Sequence, residues 1–172
     1  VQKPHPPIWQ GAGSVESIRR AARQGYGLLL DQILSFEEVK ERIAIYHEAI
    51  EDLGRQFDPN SIGVTRGLML THNAKQREAS HTLRNQFIST IKSLAASGKA
   101  QRSTYNIVGE VKDETETSER GAIIGDSKEM IERIEILYEY GVRNILLHDL
   151  TGSIDTLQEF AEKVVPNFSN KP

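Results

Sequence analysis

The sequence predicts an α/β chain of parallel strands, about half of an eight-stranded (β/α) barrel of the TIM-barrel type. Three observations predict it. Short apolar runs alternate with longer segments whose apolar residues recur every three or four positions. The run Gly27-Leu28-Leu29-Leu30 is wholly apolar, as expected of a parallel strand buried on both faces. The strand–helix units number four, few for an independent doubly wound sheet but half of a barrel closed by right-handed crossovers. Such a half has two unpaired strand edges and an open inner face. It calls for another half, from an N-terminal segment, a second chain or a partner subunit, and so for an oligomer or a longer protein.

The elements follow in order. Pro7-Ile8-Trp9-Gln10 reads as a first strand, followed by a turn of small residues, Gly11 to Gly13. Ser14 is the predicted N-cap of a helix that runs to Gln24 and stops at Gly25. After the strand at Gly27–Leu30 come the polar Asp31 and Gln32, and then the capping box Ser35-Phe36-Glu37-Glu38. The helix behind it carries Phe36, Val39, Ile43, Tyr46, Ile50 and Leu53 on one face. Residues 61–71 form a third strand region. A helix over 74–96 follows, with Ala79, Leu83, Phe87, Ile91 and Leu94 as its apolar stripe and a polar outer face. Residues 97–121 are polar and break the rhythm, which suggests a mobile lid or a solvated loop. Regularity returns at Ala122–Gly125. Asp126 and Glu129 then cap a helix with Met130, Ile131, Ile134, Leu137 and Tyr138, ending at Gly141. Val142–His148 is the last strand. Ile154, Leu157, Phe160 and Val164 are the inward face of a final helix that ends near Pro166.

Composition narrows the class. The 172 residues make one domain, 1–172, or a piece of one. With 21 Lys+Arg against 24 Asp+Glu the net charge is −3, which argues against a general nucleic-acid footprint. No apolar run approaches a membrane span, and no signal-peptide pattern is present. The chain contains no cysteine, so disulfides, thiolate metal sites and a cysteine nucleophile are out, as suits a cytoplasmic protein. It opens on Val1 with three prolines in seven residues, and is expected to be cut from something longer.

Chemistry concentrates at the first strand–helix turn. A strand feeding through glycines into a helix N-terminus presents free backbone N–H groups and the positive end of the helix dipole to an anion. Ser14 and Ser17 add hydroxyl donors on the same turn. The same glycines also suit a plain tight βα turn, and the local pattern leaves both readings open. His72 and His148 lie at strand ends, where a barrel does its chemistry, but lone histidines there are more often structural. No metal-ligand spacing, nucleophile elbow or Walker loop occurs, so no metal and no catalytic residue is assigned.

The blocks Pro4-His5-Pro6-Pro7-Ile8-Trp9-Gln10-Gly11-Ala12-Gly13-Ser14, Gly25–Leu30, Ile124-Gly125-Asp126-Ser127 and Gly141–Leu147 resemble the C-terminal half of the luciferase-like flavin monooxygenase family. The resemblance covers most of the chain. It implies a (β/α) barrel of eight strands, of which this chain would supply strands five to eight. It also implies a reduced flavin or deazaflavin at the strand C-terminal ends, and FMN is the expected cofactor. Carried over by position, Gly11, Gly13, Ser14 and Ser17 match the turn that meets the cofactor phosphate. Gln32 falls where the next strand opens into the pocket, and Thr65 and Arg66 fall on the strand after it. Residues 97–121 correspond to the loop that covers the active site, which would exclude water from the cofactor.

The implied activity is that of a flavin-dependent monooxygenase or oxidoreductase, acting with oxygen on a small organic substrate. It is expected to be inactive, and weak in flavin binding, without the N-terminal half. Two other readings compete: a non-catalytic flavin-binding or assembly subunit, and an unrelated half barrel that binds a phosphorylated metabolite.

Overall fold

The computed structural model describes residues 3, 5–97 and 113–169. The elements in chain order are β1 (Trp9–Gly11), α1 (Val15–Gln24), β2 (Gly27–Leu30), α2 (Phe36–Glu51), β3 (Ile62–Leu70), α3 (Ala74–Ser97), α4 (Glu114–Gly121), β4 (Ile123–Gly125), α5 (Ser127–Glu139), β5 (Asn144–Asp149) and α6 (Ile154–Glu159). All the strand pairings are parallel.

Local chemistry sets the helix ends. Ser14, Ser35 and Asp126 each cap a helix, and each capping box is complete. Gly25 closes α1 at φ 73°, a left-handed conformation that a side chain would strain.

The centre of the sheet is β3. Leu28, Leu29 and Leu30 of β2 lie opposite Ile62, Gly63 and Val64. Ile123, Ile124 and Gly125 of β4 lie opposite Leu68, Met69 and Leu70. β5 runs opposite Gly63 through Leu68. Gly63 is thus shared by β2 and β5, and Leu68 by β4 and β5. It follows that β2 and β4 occupy one edge of β3, end to end, and β5 the other. β1 pairs with β2. The sheet therefore has five strands rather than four, because the short run at Ala122–Gly125 is itself a strand.

Strand alternation divides the residues between two faces. Leu28, Leu30, Ile62, Val64 and Leu68 point into the main core, against Ile18, Val39, Tyr46, Met130 and Leu137 of α1, α2 and α5. Burying these side chains contributes roughly 1.5–3 kcal/mol each. The opposite face is the inner wall of the half barrel. Trp9 lies flat over the backbone of Gly27 and Gly63 there, in space that a Cβ at either glycine would take. Trp9 stays 40% exposed and Leu146 49% exposed on this face. Among the described residues, the outer edges of β1 and β5 are unpaired.

Four expectations need correction. The predicted stripe of α3 is only partly its buried face: Ala79 and Leu83 are exposed and Phe87 and Ile91 half-buried, while Ser80, Arg84 and Ile88 are buried; the Leu94 side chain lies outside the described residues. α3 does not join the outer helical layer. Arg84 lies against Gly67 and Phe87 against His148, so α3 crosses the inner face at the strand C-terminal ends. Of its polar residues, Arg77, Asn85 and Lys92 meet α4, while Gln76, Glu78, Thr82 and Gln86 face solvent as expected. In α2, Leu53 lies past the helix end and is 44% exposed. In the last segment, Ile154 and Leu157 are exposed and only Val164 is fully buried. The chain turns there from α6 into a π-helical stretch over Phe160–Val164, which breaks the 3.6-residue spacing. Of the expected lid, residues 98–112 lie outside the described residues, and 114–121 form α4 rather than loop.

Between β2 and β4 the shared edge of β3 has no strand partner at 65–67, and this gap is where Gly121 abuts the chain at Leu34. A Cβ on Gly121 would sit 2.6 Å from the Leu34 carbonyl oxygen. Gly121→Ala is therefore expected to destabilise the fold by ~1–3 kcal/mol, read as a lower denaturant midpoint. The exposed Glu132→Ala should leave the midpoint unchanged.

Candidate functional site

The first strand–helix turn has the form expected of an anion site. Gly11 ends β1, and nothing lies within 4 Å of where its Cβ would be. The Ser14 hydroxyl accepts the Ser17 N–H at 3.2 Å and donates to Ser17 Oγ at 3.0 Å. Ser17 Oγ accepts the Ser14 N–H at 3.1 Å and donates to the Ser14 carbonyl at 2.8 Å. The N–H groups of Val15 and Glu16, at the head of the helix, make no hydrogen bond within the described residues. They are the orphan donors of a helix start. The carboxylate of Glu16 is the one feature of the first turn that opposes an anion.

A cation stands beside this turn that the sequence did not point to. Arg42 of α2 donates from Nε to the Gly13 carbonyl at 3.1 Å and from Nη1 to the Glu38 carbonyl at 3.3 Å. The packing of α1 on α2 brings it there across 29 residues of sequence. Nothing in its own neighbourhood of the sequence signals the role.

Gln32 and Arg66 form a second group at the next strand end. Asp31 Oδ1 accepts the N–H groups of Ile33 and Leu34, at 2.7 and 3.3 Å, and so shapes the loop. Arg66 Nη1 donates to the Asp31 carbonyl at 2.8 Å. Arg84 of α3 donates from Nη2 to the Gln32 carbonyl at 2.7 Å and from Nη1 to Gln32 Oε1 at 3.2 Å. Both arginine side chains are fully buried. Burial pushes each guanidinium down to about 10; nearby Asp31 partly counters this for Arg66, and Arg84 adds to it. Among the described residues, no hydrogen bond joins this group to Ser14 and Ser17. β1 and β2 are adjacent and parallel, so both groups lie at the same end of the sheet. Thr65 is half-buried on the inner face.

An ion cluster holds α4 in place. Glu119 accepts both Nε and Nη2 of Arg77 at 2.7 Å, His81 Nε2 at 2.8 Å and Arg133 Nη2 at 3.1 Å. Arg77 also reaches Glu129 at 3.0 Å. The Arg77 hydrogen bonds hold the Glu119 carboxyl down at about 2, against a smaller opposing effect of burial. Arg77 is raised by the same pairing, whereas burial outweighs the pairing for Arg133 and lowers it. The histidines do other work: His72 pairs with Glu159 at 3.2 Å, and His148 packs edge-on against Phe87. A hollow of about 860 Å³ lies between α2 and the end of α5, and includes Lys40, Ile43, His47 and Tyr140. None of the candidate residues lines it.

The depressed Glu119 value fixes a pH window. Its contribution to stability is complete above the ordinary carboxyl value of 4.5 and is lost as pH falls from there towards about 2. Glu119→Gln should flatten stability across that acid limb. It should also speed hydrogen exchange in α4 at neutral pH relative to wild type.

The family model described as luciferase-like monooxygenase matches residues 1–144. Curated proteins give no match to the sequence. Among solved structures, the monooxygenase RslO1 from Streptomyces bottropensis superposes with a TM-score of 0.68 at 21% identity. That match covers 98% of this chain and 50% of the other. An F420-dependent secondary alcohol dehydrogenase, solved with an F420–acetone adduct, gives 0.67 at 15% identity, covering 95% and 49%. The oxygenating constituent of 3,6-diketocamphane monooxygenase from Pseudomonas putida, solved with FMN, gives 0.65 at 16% identity, covering 94% and 48%. The chain spans about half the length of these structures. No helix among the described residues is long and apolar enough to cross a membrane.

Proposed function

The chain belongs to the luciferase-like monooxygenase family, and we propose that it forms the cofactor-phosphate side of a flavin-dependent monooxygenase or oxidoreductase. The enzyme would use reduced flavin and oxygen on a small organic substrate. The observation that carries this reading is the open helix start at Val15 and Glu16, with two serine hydroxyls and the Arg42 guanidinium beside it. A flavin phosphate suits this donor set. The free N–H groups and the helix dipole favour the dianion, and Arg42 adds a charge held in place by the Gly13 carbonyl. To take part, the Ser14 hydroxyl turns from Ser17 Oγ towards a phosphate oxygen. Gly11 leaves the approach clear.

The remaining residues shape the space above the sheet. Gln32 and Arg66 set one wall through the loop at Asp31, and Trp9 and Leu146 give an apolar surface for a ring or a hydrocarbon substrate. α3 lies across the strand ends and limits entry of water. Bound flavin would supply the redox chemistry; the chain's own residues hold, orient and shield it. FMN is the first candidate. A deazaflavin is the second, because one structural neighbour is F420-dependent and another was solved with FMN. The unpaired edges of β1 and β5 and the uncovered inner face favour closure by an N-terminal half or a second chain.

Titration with FMN and with riboflavin, which lacks the phosphate, tests the reading. FMN should bind more tightly than riboflavin. Ser14→Ala and Arg42→Met should each weaken FMN roughly five- to tenfold, about 1–1.4 kcal/mol, and leave riboflavin unchanged. Equal binding of the two flavins, unaffected by either substitution, would move the cofactor phosphate elsewhere.

A further inference from the structure

We propose, resting on the flavin reading above, that Gln32 determines specificity at the cofactor site by offering its side-chain amide as a hydrogen-bond donor to a ring carbonyl oxygen, and that Arg84 is the positioning residue that fixes it in that sense. The two ends of a glutamine amide have nearly the same shape, but one accepts and the other donates. Left free, the group serves a donor or an acceptor equally well. Here the choice is made from behind. Arg84 donates from Nη1 to Gln32 Oε1 at 3.2 Å and from Nη2 to the Gln32 main-chain carbonyl at 2.7 Å. A guanidinium only donates, and burial lowers this one no further than about 10, so it stays charged at neutral pH. The end of the amide that meets it is therefore the oxygen.

The donor end is left for a ligand. Gln32 Nε2 makes no hydrogen bond among the described residues, and it is open to solvent, unlike the buried Nε of Arg84. The two residues divide by depth: Arg84 is fully buried and Gln32 half-buried. Both are anchored. Arg84 lies against Gly67 on the inner face of β3, where a Cβ would collide with its Nη1. The loop that carries Gln32 is held by Asp31 Oδ1, which accepts the N–H groups of Ile33 and Leu34, and by Arg66 on the Asp31 carbonyl. A side chain that ordinarily samples many rotamers has thus lost that freedom on folding, and a ligand need not restrict it again. Gln32 follows β2 at the same end of the sheet as the Ser14 turn. An acceptor suits the exposed amide end and a donor does not. Flavins and deazaflavins share two carbonyl oxygens on the pyrimidine ring, and either is such an acceptor.

Titration of the chain with FMN and with riboflavin, followed by flavin fluorescence, separates this role from a structural one. Gln32→Met should weaken both flavins roughly five- to tenfold, because the lost contact is to the ring and not to the phosphate. Gln32→Glu keeps an oxygen for Arg84 and strengthens that bond, so a merely structural role would leave it harmless. The group turned to the ligand can then only accept, and both flavins should weaken roughly thirtyfold or more. Arg84→Met should weaken them roughly threefold, and should add nothing to the effect of Gln32→Met when the two are combined. If Arg84→Met fails to fold, Arg84→Lys, a donor without the fork, should bind between wild type and Gln32→Met. In infrared difference spectra a carbonyl stretch of bound FMN should lie lower in wild type than in Gln32→Met. Flavin binding by Gln32→Glu as tight as that of wild type would overturn this proposal and leave the flavin reading standing. A wild-type chain that binds neither flavin would overturn both.

Discussion

The structure depends on how the edge of β3 is shared. A strand of nine residues is long enough to pair with β2 near its start and with β4 near its end, which leaves a stretch between them without a strand partner. Backbone polar groups near such a gap need other partners. The chain meets this need with the loop from Asp31 to Leu34, held by an Asx turn below and by arginine side chains from both faces. The closeness of Gly121 to Leu34 and of Gly67 to Arg84 follows from that one constraint. Both glycines sit where there is no room for a side chain.

The same constraint places the helix after β3. In a regular strand–helix unit α3 would pack on the outside, with α1 and α2. Here α5 fills that position through Met130, Ile134 and Leu137. α3 and α4 form an insertion after β3, joined to each other by Lys92–Glu114, Asn85–Thr115 and the cluster around Glu119. An insertion at the strand C-terminal ends is well placed to cover a ligand. Its attachments are polar, so its hold is sensitive to charge and pH in a way the apolar core is not.

The first strand–helix turn and the arginine-held loop are two solutions to related electrostatic problems at neighbouring strand ends. At the turn, partial positive charge comes from unpaired backbone donors, and Arg42 is kept close by a carbonyl rather than by a carboxylate. At the loop, full charges are buried and tied to carbonyls. In both places the side chains of acidic residues nearby are used for capping or turn formation, and among the described residues no carboxylate is bonded to these cations.

What the sequence determined by itself is local. Capping boxes, the glycine stop of α1, the wholly apolar β2 and the alternation that makes the sheet parallel are all encoded within a few residues of one another, and the structure follows them closely. The serine pair at the first turn was legible for the same reason. The tertiary structure decided what depends on pairing across distance. The buried face of α3 carries Ser80, Arg84 and Ile88, so hydrophobic spacing pointed to the wrong stripe; only contact with Gly67 and Gln32 makes an arginine an interior residue. Arg42 came to the turn through the packing of two helices, and Arg66 went under the loop because β2 ends where β3 continues. Apolar side chains announce their burial through their own chemistry, whereas a buried charge is specified by the partners that the fold assembles around it.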